Sequence, residues 1–230
     1  MTLWSWSGFF GYLVNPFILG GVFTTIWLTV VSLIAGLVLG FVLAMMRRSH
    51  LRSVQMLAKV YIWLFRGTPL LVQLIALYTA LPLFGIKLSV IEAALVGLAA
   101  NEAAYLAEII RAGIGAVPEG QSRAARALGM TERQIMRHIV MPQAFKVIIP
   151  PLGNSVNGLL KTTSVTSVIS MEELLRRTQV LIQERFMVLE LFAVAAIYYL
   201  LLTTLWDFFQ RYIENRLGQA DARLSINEKR

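Results

Sequence analysis

The uninterrupted apolar run at residues 17–46, closed by Arg47, Arg48 and Arg52, constrains this chain more than any other feature. A helix needs about 20 residues to cross the hydrocarbon core of a bilayer, and this run exceeds that. Charged residues make up 15% of the 230, against about a quarter in soluble domains, and they cluster between further apolar stretches. Backbone in lipid must satisfy its own hydrogen bonds, which leaves helices or closed barrels. The run lengths select helices, so the chain reads as an all-α integral membrane protein. The absence of cysteine excludes a disulfide framework and thiol-ligated metal. A net charge of +8 needs no nucleic acid, because basic loops on one side of a membrane explain it.

Five transmembrane helices are expected. The first is 17–46. The second begins at Thr68 and is too short alone, so the preceding 54–65 supplies the remainder obliquely, with Arg66 near the interface. Thr68 and Pro69 read as an N-cap and a first-turn proline where the helix restarts. The third span is 89–110. The fourth is 145–169, with Pro150, Pro151, Gly153 and Gly158 inside it, and the fifth is 186–209. Residues 1–16, with Trp4, Trp6, Phe9, Phe10 and Tyr12, read as an interfacial aromatic segment rather than a secretory leader. Residues 17–218 form the transmembrane domain, and 219–230 a cytoplasmic tail.

Lysine and arginine set the orientation. An outside N-terminus puts Arg47, Arg48, Arg52, the segment 111–146 and the tail from Arg211 on the inner face. Only Lys87, Arg176, Arg177 and Arg185 then lie outside, which gives N-out, C-in. The basic segment about 118–142 therefore projects into the cytoplasm between spans three and four. Pro118 and Glu119 suit a helix start, Gly129 a helix end, and Thr131 a second N-cap. Two short helices joined by a glycine turn are expected, although an amphipathic pair lying on anionic lipid has the same signature.

The pattern Ala124, Ala125, Gly129, Ile139 and Pro142 resembles the coupling motif of ABC importer permeases. The stretches 65–74 (FRGTPLLVQL), 107–114 (AEIIRAGI) and 153–169 (GNSVNGLLKTTSVTSVI) are similar to the polar amino-acid branch of that family. The resemblance runs from about residue 20 to residue 218, with the motifs in order. It implies a cytoplasmic coupling helix that docks on a separate ATP-binding subunit through Glu119, Gly120, Arg123, Ala124, Ala125, Arg126, Leu128, Gly129 and Met130. It also implies a second permease subunit, identical or paralogous, an extracytoplasmic amino-acid-binding protein, and location in the bacterial inner membrane. Three positions depart from the pattern: Arg123 stands where glutamate is usual, Met141 replaces leucine, and Thr162 replaces a frequent aspartate. The chain has no GxxxxGK[ST] loop. No cofactor is expected, with ATP and magnesium bound by the partner ATPase.

Ionisable side chains are costly at mid-membrane, by roughly 2.5–3.5 kcal/mol each on insertion scales, and so mark candidate sites. Glu102 lies deep in span three with Asn101 and Tyr105 beside it. Lys161 lies deep in span four, one to two turns after Asn154 and Asn157, and Gln73 is the polar candidate of span two. These seven residues form the candidate substrate pathway. Glu102 either pairs with Lys161 or receives the amino group or cationic side chain of an amino acid. Glu108 and Arg111, three residues apart, are expected to pair locally. No metal site and no catalytic constellation is expected. The sequence reads as the transmembrane subunit of an ATP-driven importer of polar amino acids. The alternatives are an importer of another small polar solute, a passive channel and a membrane-anchored regulator.

Overall fold

The structure, a computed structural model, describes residues 4–227, and the side chains of 4–217. Every regular element among the described residues is helical. The expected tail, 219–230, lies outside the residues whose side chains are described.

Helix α1 (Trp6–Leu13) is followed directly by α2 (Pro16–Arg47), and both starts are set by local sequence. The Asn15 side chain accepts from the Phe17 amide at 2.9 Å, and Pro16 occupies the first turn, where its missing N–H costs nothing. Down α2 the buried positions Gly21, Thr25, Thr29, Ser32, Gly36 and Gly40 recur every three or four residues. The start of this stripe, Gly21 and Thr25, meets the first turn of α9 (Leu174–Arg185), and its later part, Gly36 and Gly40, faces α5 (Val90–Gly115), whose buried face is itself rich in alanine and glycine. Small residues let two helix backbones approach closely, which is the main source of packing energy when lipid competes for every apolar contact. A Cβ added at Gly40 would lie 2.9 Å from Leu106 Cβ and 3.0 Å from the Ala103 carbonyl. The α2–α5 pair is the spine of the molecule.

The second expected span is a bent pair. Helix α3 (Arg52–Gly67) stops, and α4 (Leu70–Ile75) restarts and continues through one wide turn and one tight turn to Phe84, at 104° to α3. The restart differs from the expected cap. Pro69, not Thr68, is the residue flanking α4, and the Thr68 hydroxyl donates backward to the Leu64 carbonyl at 2.8 Å. Pro69 biases the preceding residue to extended backbone, so Thr68 closes α3 at φ −120° instead of opening α4.

Helix α6 (Glu119–Ala127) and the short α7 (Glu132–Ile135) form the expected pair, and the chain then runs through a wide turn into α8 (Met141–Thr162). Helix α8 continues past Pro150 and Pro151 and closes in a tight turn to Ile169. Helix α9 (Leu174–Arg185) caps one end, and α10 (Val188–Asn227) returns along α8. Glu173 anchors α9. It is fully buried, accepts from the Leu175 and Arg176 amides at 2.9 and 2.7 Å, and accepts from the Tyr199 hydroxyl of α10 at 2.9 Å. The Leu174 amide meets Thr25 of α2 at 3.3 Å, so one cluster ties three helices.

Among the described residues α2, α5 and the 188–217 portion of α10 are long and apolar enough to cross a membrane, and the α3–α4 pair, bent by 104°, makes a fourth only when its two arms are counted as one broken span. The chain is a multi-pass membrane protein. Helix α8, expected as a span, is long enough but falls outside that set, because asparagine, serine, lysine and two prolines dilute its apolar face.

Candidate functional site

Glu102 lies on the α5 face that meets both α2 and α8. Its residue is 8% exposed, and Gly36 of α2 is close enough that an added Cβ would sit 3.2 Å from Glu102 Cβ. The Ser155 hydroxyl of α8 donates to the Glu102 carboxylate. A buried carboxylate needs such donors, since an unmet charge is far costlier than an unmet amide. Beside it opens a cavity of about 360 Å³ bounded by Asn101, Glu102, Tyr105, Ser155, Thr68 and Thr162 over a floor that includes Leu98 and Leu159. Glu102 is the one charged residue in this lining. The Arg66 guanidinium lies 5.3 Å from the Tyr105 ring centroid at the same site, a cation–π distance.

The structure brings together three of the seven pathway residues expected from sequence: Asn101, Glu102 and Tyr105. Four are elsewhere. Lys161 is exposed outside this cavity, and no ion pair joins it to Glu102 among the described residues. The reading in which the two neutralise each other is not met within this chain, because Lys161 sits two turns beyond Ser155 and exits the α5-facing side of α8. Asn154 is exposed, and Asn157 donates to the Asp207 carboxylate of α10 at 2.6 Å. Gln73 serves the backbone: its Nε2 donates to the Phe65 and Thr68 carbonyls at 3.0 and 3.1 Å and to the Thr68 hydroxyl at 2.8 Å. Asn101 donates to the Phe65 carbonyl and to Gln73 Oε1, both at 3.1 Å. The helix break thus has its freed carbonyls satisfied by side chains, as buried irregular backbone in a membrane protein requires.

Sequence reasoning missed Ser155, Thr162 and Asp207. Asp207 carried a usable signal, an acid late in an apolar run. Ser155 carried none, because a single serine in a helix also bonds its own backbone.

The second feature is the α6–α7 knob. Helix α6 ends in a Schellman motif: the Met130 amide reaches the Ala125 carbonyl at 3.1 Å, and the Gly129 amide the Arg126 carbonyl at 2.9 Å. Gly129 has φ +82°, a conformation that glycine adopts without steric cost. Thr131 and Gln134 form a capping box on α7. Arg126 grips Glu132 across the turn with contacts of 2.5 and 3.3 Å. That hydrogen bond, more than the charge alone, holds the Glu132 carboxyl below its usual range. Ala125, Ile135, Val140 and Ala144 bury against Ile110 and Ile114, docking the knob on the end of α5. The residues of α6 expected to couple to an ATP-binding subunit divide between its faces, with Ala127, not among them, joining the first. Gly120, Ala124, Ala127 and Leu128 are exposed along one face, with Leu128 83% exposed. Glu119, Arg123 and Arg126 lie on another, toward the end of α2. Where α5 ends, Arg111 and Glu108 form the expected pair at 2.7 Å.

Known proteins share this arrangement. The chain is 38% identical over 234 residues to the arginine transport system permease protein ArgU of Corynebacterium glutamicum, covering 96% of this chain and 74% of that protein. It is 39% identical to the arginine transport system permease protein ArtQ of Bacillus subtilis, over 90% of this chain and 94% of the relative. The L-cystine permease protein TcyB of the same organism is 38% identical, over 89% and 88%. A crystal structure of an amino acid ABC transporter with histidines superposes with a TM-score of 0.88 at 36% identity, covering 94% of this chain and all of that one. The MetNI methionine ABC transporter, at 19% identity and a TM-score of 0.72, shares the fold. Residues 36–219 match one family throughout, and the chain belongs to it: the binding-protein-dependent transport system inner membrane components.

Proposed function

We propose that this chain is the transmembrane subunit of an ATP-driven importer that moves polar amino acids into the cytoplasm. The observation that carries the reading is the open small-residue face of α6, on a knob whose α6–α7 turn is already satisfied internally. Nothing local requires Ala124, Ala127 and Leu128 to be exposed, and a close-fitting partner would cover them.

In this reading five crossings, α2, α3–α4, α5, α8 and α10, run with the N-terminus outside, and α6 lies in the cytoplasm. The chain belongs in the bacterial inner membrane. Two permease subunits, identical or paralogous, enclose the path. A separate ATPase binds ATP and magnesium and docks on α6, and an extracytoplasmic binding protein delivers substrate. Closure of the ATPases on ATP pulls α6, and the contacts of the knob with Ile110 and Ile114 pass that movement to α5. Helix α5 carries Glu102, so the cavity alternates between outward and inward access as ATP shifts the population of two states. Glu102, the one charge in the cavity lining, receives an ammonium or guanidinium group, while Asn101, Ser155 and Thr162 accept or donate around it. The chain itself makes and breaks no bonds.

The reading is tested by purifying the chain in mild detergent after co-expression with its neighbouring ATPase and binding-protein genes. Gly120→Arg is the docking variant, because an added Cβ there meets nothing within 4 Å and the fold is spared. An ATPase that co-elutes with the native chain and is lost with Gly120→Arg supports the reading. A well-folded chain that retains no ATPase overturns it.

A further inference from the structure

The basic face of α6 lies apart from its small-residue face. Arg123 and Arg126 instead share the lining of a cavity of about 350 Å³ with Glu119, Ser122, Ile114 and Arg48, the last at the end of α2. Arg126 is already committed to Glu132. Glu119 and Arg123 approach only to 4.0 Å and are largely exposed, a contact of little energy. Arg48 forms no ion pair among the described residues. Three guanidinium groups thus stand against two carboxylates. The N-terminus of α6, which supplies Glu119 and Ser122 to the lining, has no side-chain cap, which leaves its first N–H groups without a side-chain partner. Helices α2 and α5 both end here, at Arg47 and Gly115, and the apolar run of α2 ends with them.

We propose that this cavity is a binding site for a phosphate group, with Arg48 and Arg123 as its principal ligands. Guanidinium matches phosphate oxygens in bidentate geometry, and a helix N-terminus adds donors and positive potential. The end of an apolar span lies at headgroup depth, so the phosphodiester of an anionic lipid is one source and free inorganic phosphate the other. Arg123 and Arg48, neither held in a close ion pair, are what make the site basic. A phosphate held there would tie α6 to the end of α2.

The depth argument rests on the membrane placement proposed above, whereas binding is read on the isolated chain without an ATPase. The test is native mass spectrometry of the purified full chain with phosphatidylglycerol, phosphatidylcholine or inorganic phosphate added separately. Phosphatidylglycerol retained about tenfold over phosphatidylcholine assigns the lipid source. Retention of inorganic phosphate assigns the free anion. In either case Arg48→Ala with Arg123→Ala, and Arg123→Glu alone, lose the adduct, while Arg133→Ala on the exposed side of α7 keeps it. All three residues are exposed, and an unchanged melting temperature confirms the fold of each variant. Equal retention of both lipids with no phosphate adduct, or an adduct that survives the double variant, overturns the proposal.

Discussion

Ser155 of α8 donates a hydrogen bond to the carboxylate of Glu102 on α5, joining two helices across 53 positions of sequence. The pair is the point at which the two walls of the larger cavity meet, and it fixes where the one charge of that cavity is held. Ser155→Ala leaves the carboxyl without its side-chain donor. A stability loss of about 1–3 kcal/mol is expected, read from thermal unfolding in detergent, with substrate-stimulated ATP hydrolysis lowered several-fold. Glu102→Gln keeps the shape and removes the charge. It should lower transport of a cationic amino acid at least tenfold while changing melting little, and full transport in Glu102→Gln would refute the assigned role.

Close approach of α2 and α5 depends on Gly36 and Gly40. Gly40→Leu places side-chain atoms against Leu106 and the Ala103 carbonyl, where even a Cβ is at 2.9–3.0 Å. Overpacking of this kind costs roughly 1–3 kcal/mol. Gly11→Ala, whose Cβ meets nothing within 4 Å, serves as the reference and should melt within a degree or two of the native chain.

Gly129 holds the turn between α6 and α7 at φ +82°. Gly129→Ala forces a Cβ into the left-handed region at a cost of about 1–2 kcal/mol, whereas Gly129→Asn is tolerated better. The expected order of ATPase co-elution is native, then asparagine, then alanine. Reversal of the last two would show that the space around the turn, and not its backbone, is decisive.

The Arg126–Glu132 contact makes the knob acid-sensitive. The folded pKa of Glu132 is depressed by the hydrogen bond from Arg126. Its contribution is therefore present above the unfolded carboxylate value of about 4.3 and is lost as pH falls through the lower folded value. A melting difference between native and Arg126→Ala proteins should be seen at neutral pH, shrink below about pH 4, and shrink again at high salt, because both groups are exposed. A difference independent of pH would assign the effect to packing.

Much of this architecture is local and was legible in sequence. Apolar run length alone places α2, α5 and α10. The Thr131 cap, the turn at Gly129 and the Glu108–Arg111 pair each depend on residues close to one another in sequence. The Thr68–Pro69 cap was misread by one residue, because proline restrains its predecessor as well as itself.

What the tertiary structure decided are the partners. A polar side chain in an apolar helix must find a hydrogen bond somewhere, but its own helix does not say where. Gln73 and Asn101, expected along a pathway, are drawn to the carbonyls freed at Phe65 and Thr68. Asn157 pairs with Asp207, and Glu102 meets Ser155 while Lys161 stands apart. The same distinction separates the faces of α6: helical periodicity puts its arginines and its alanines on different sides, and only the docking of Ala125 against α5 determines which side is left open. Sequence sets which groups need partners within a turn of helix. Which helices come within reach of one another is decided by packing across the whole chain.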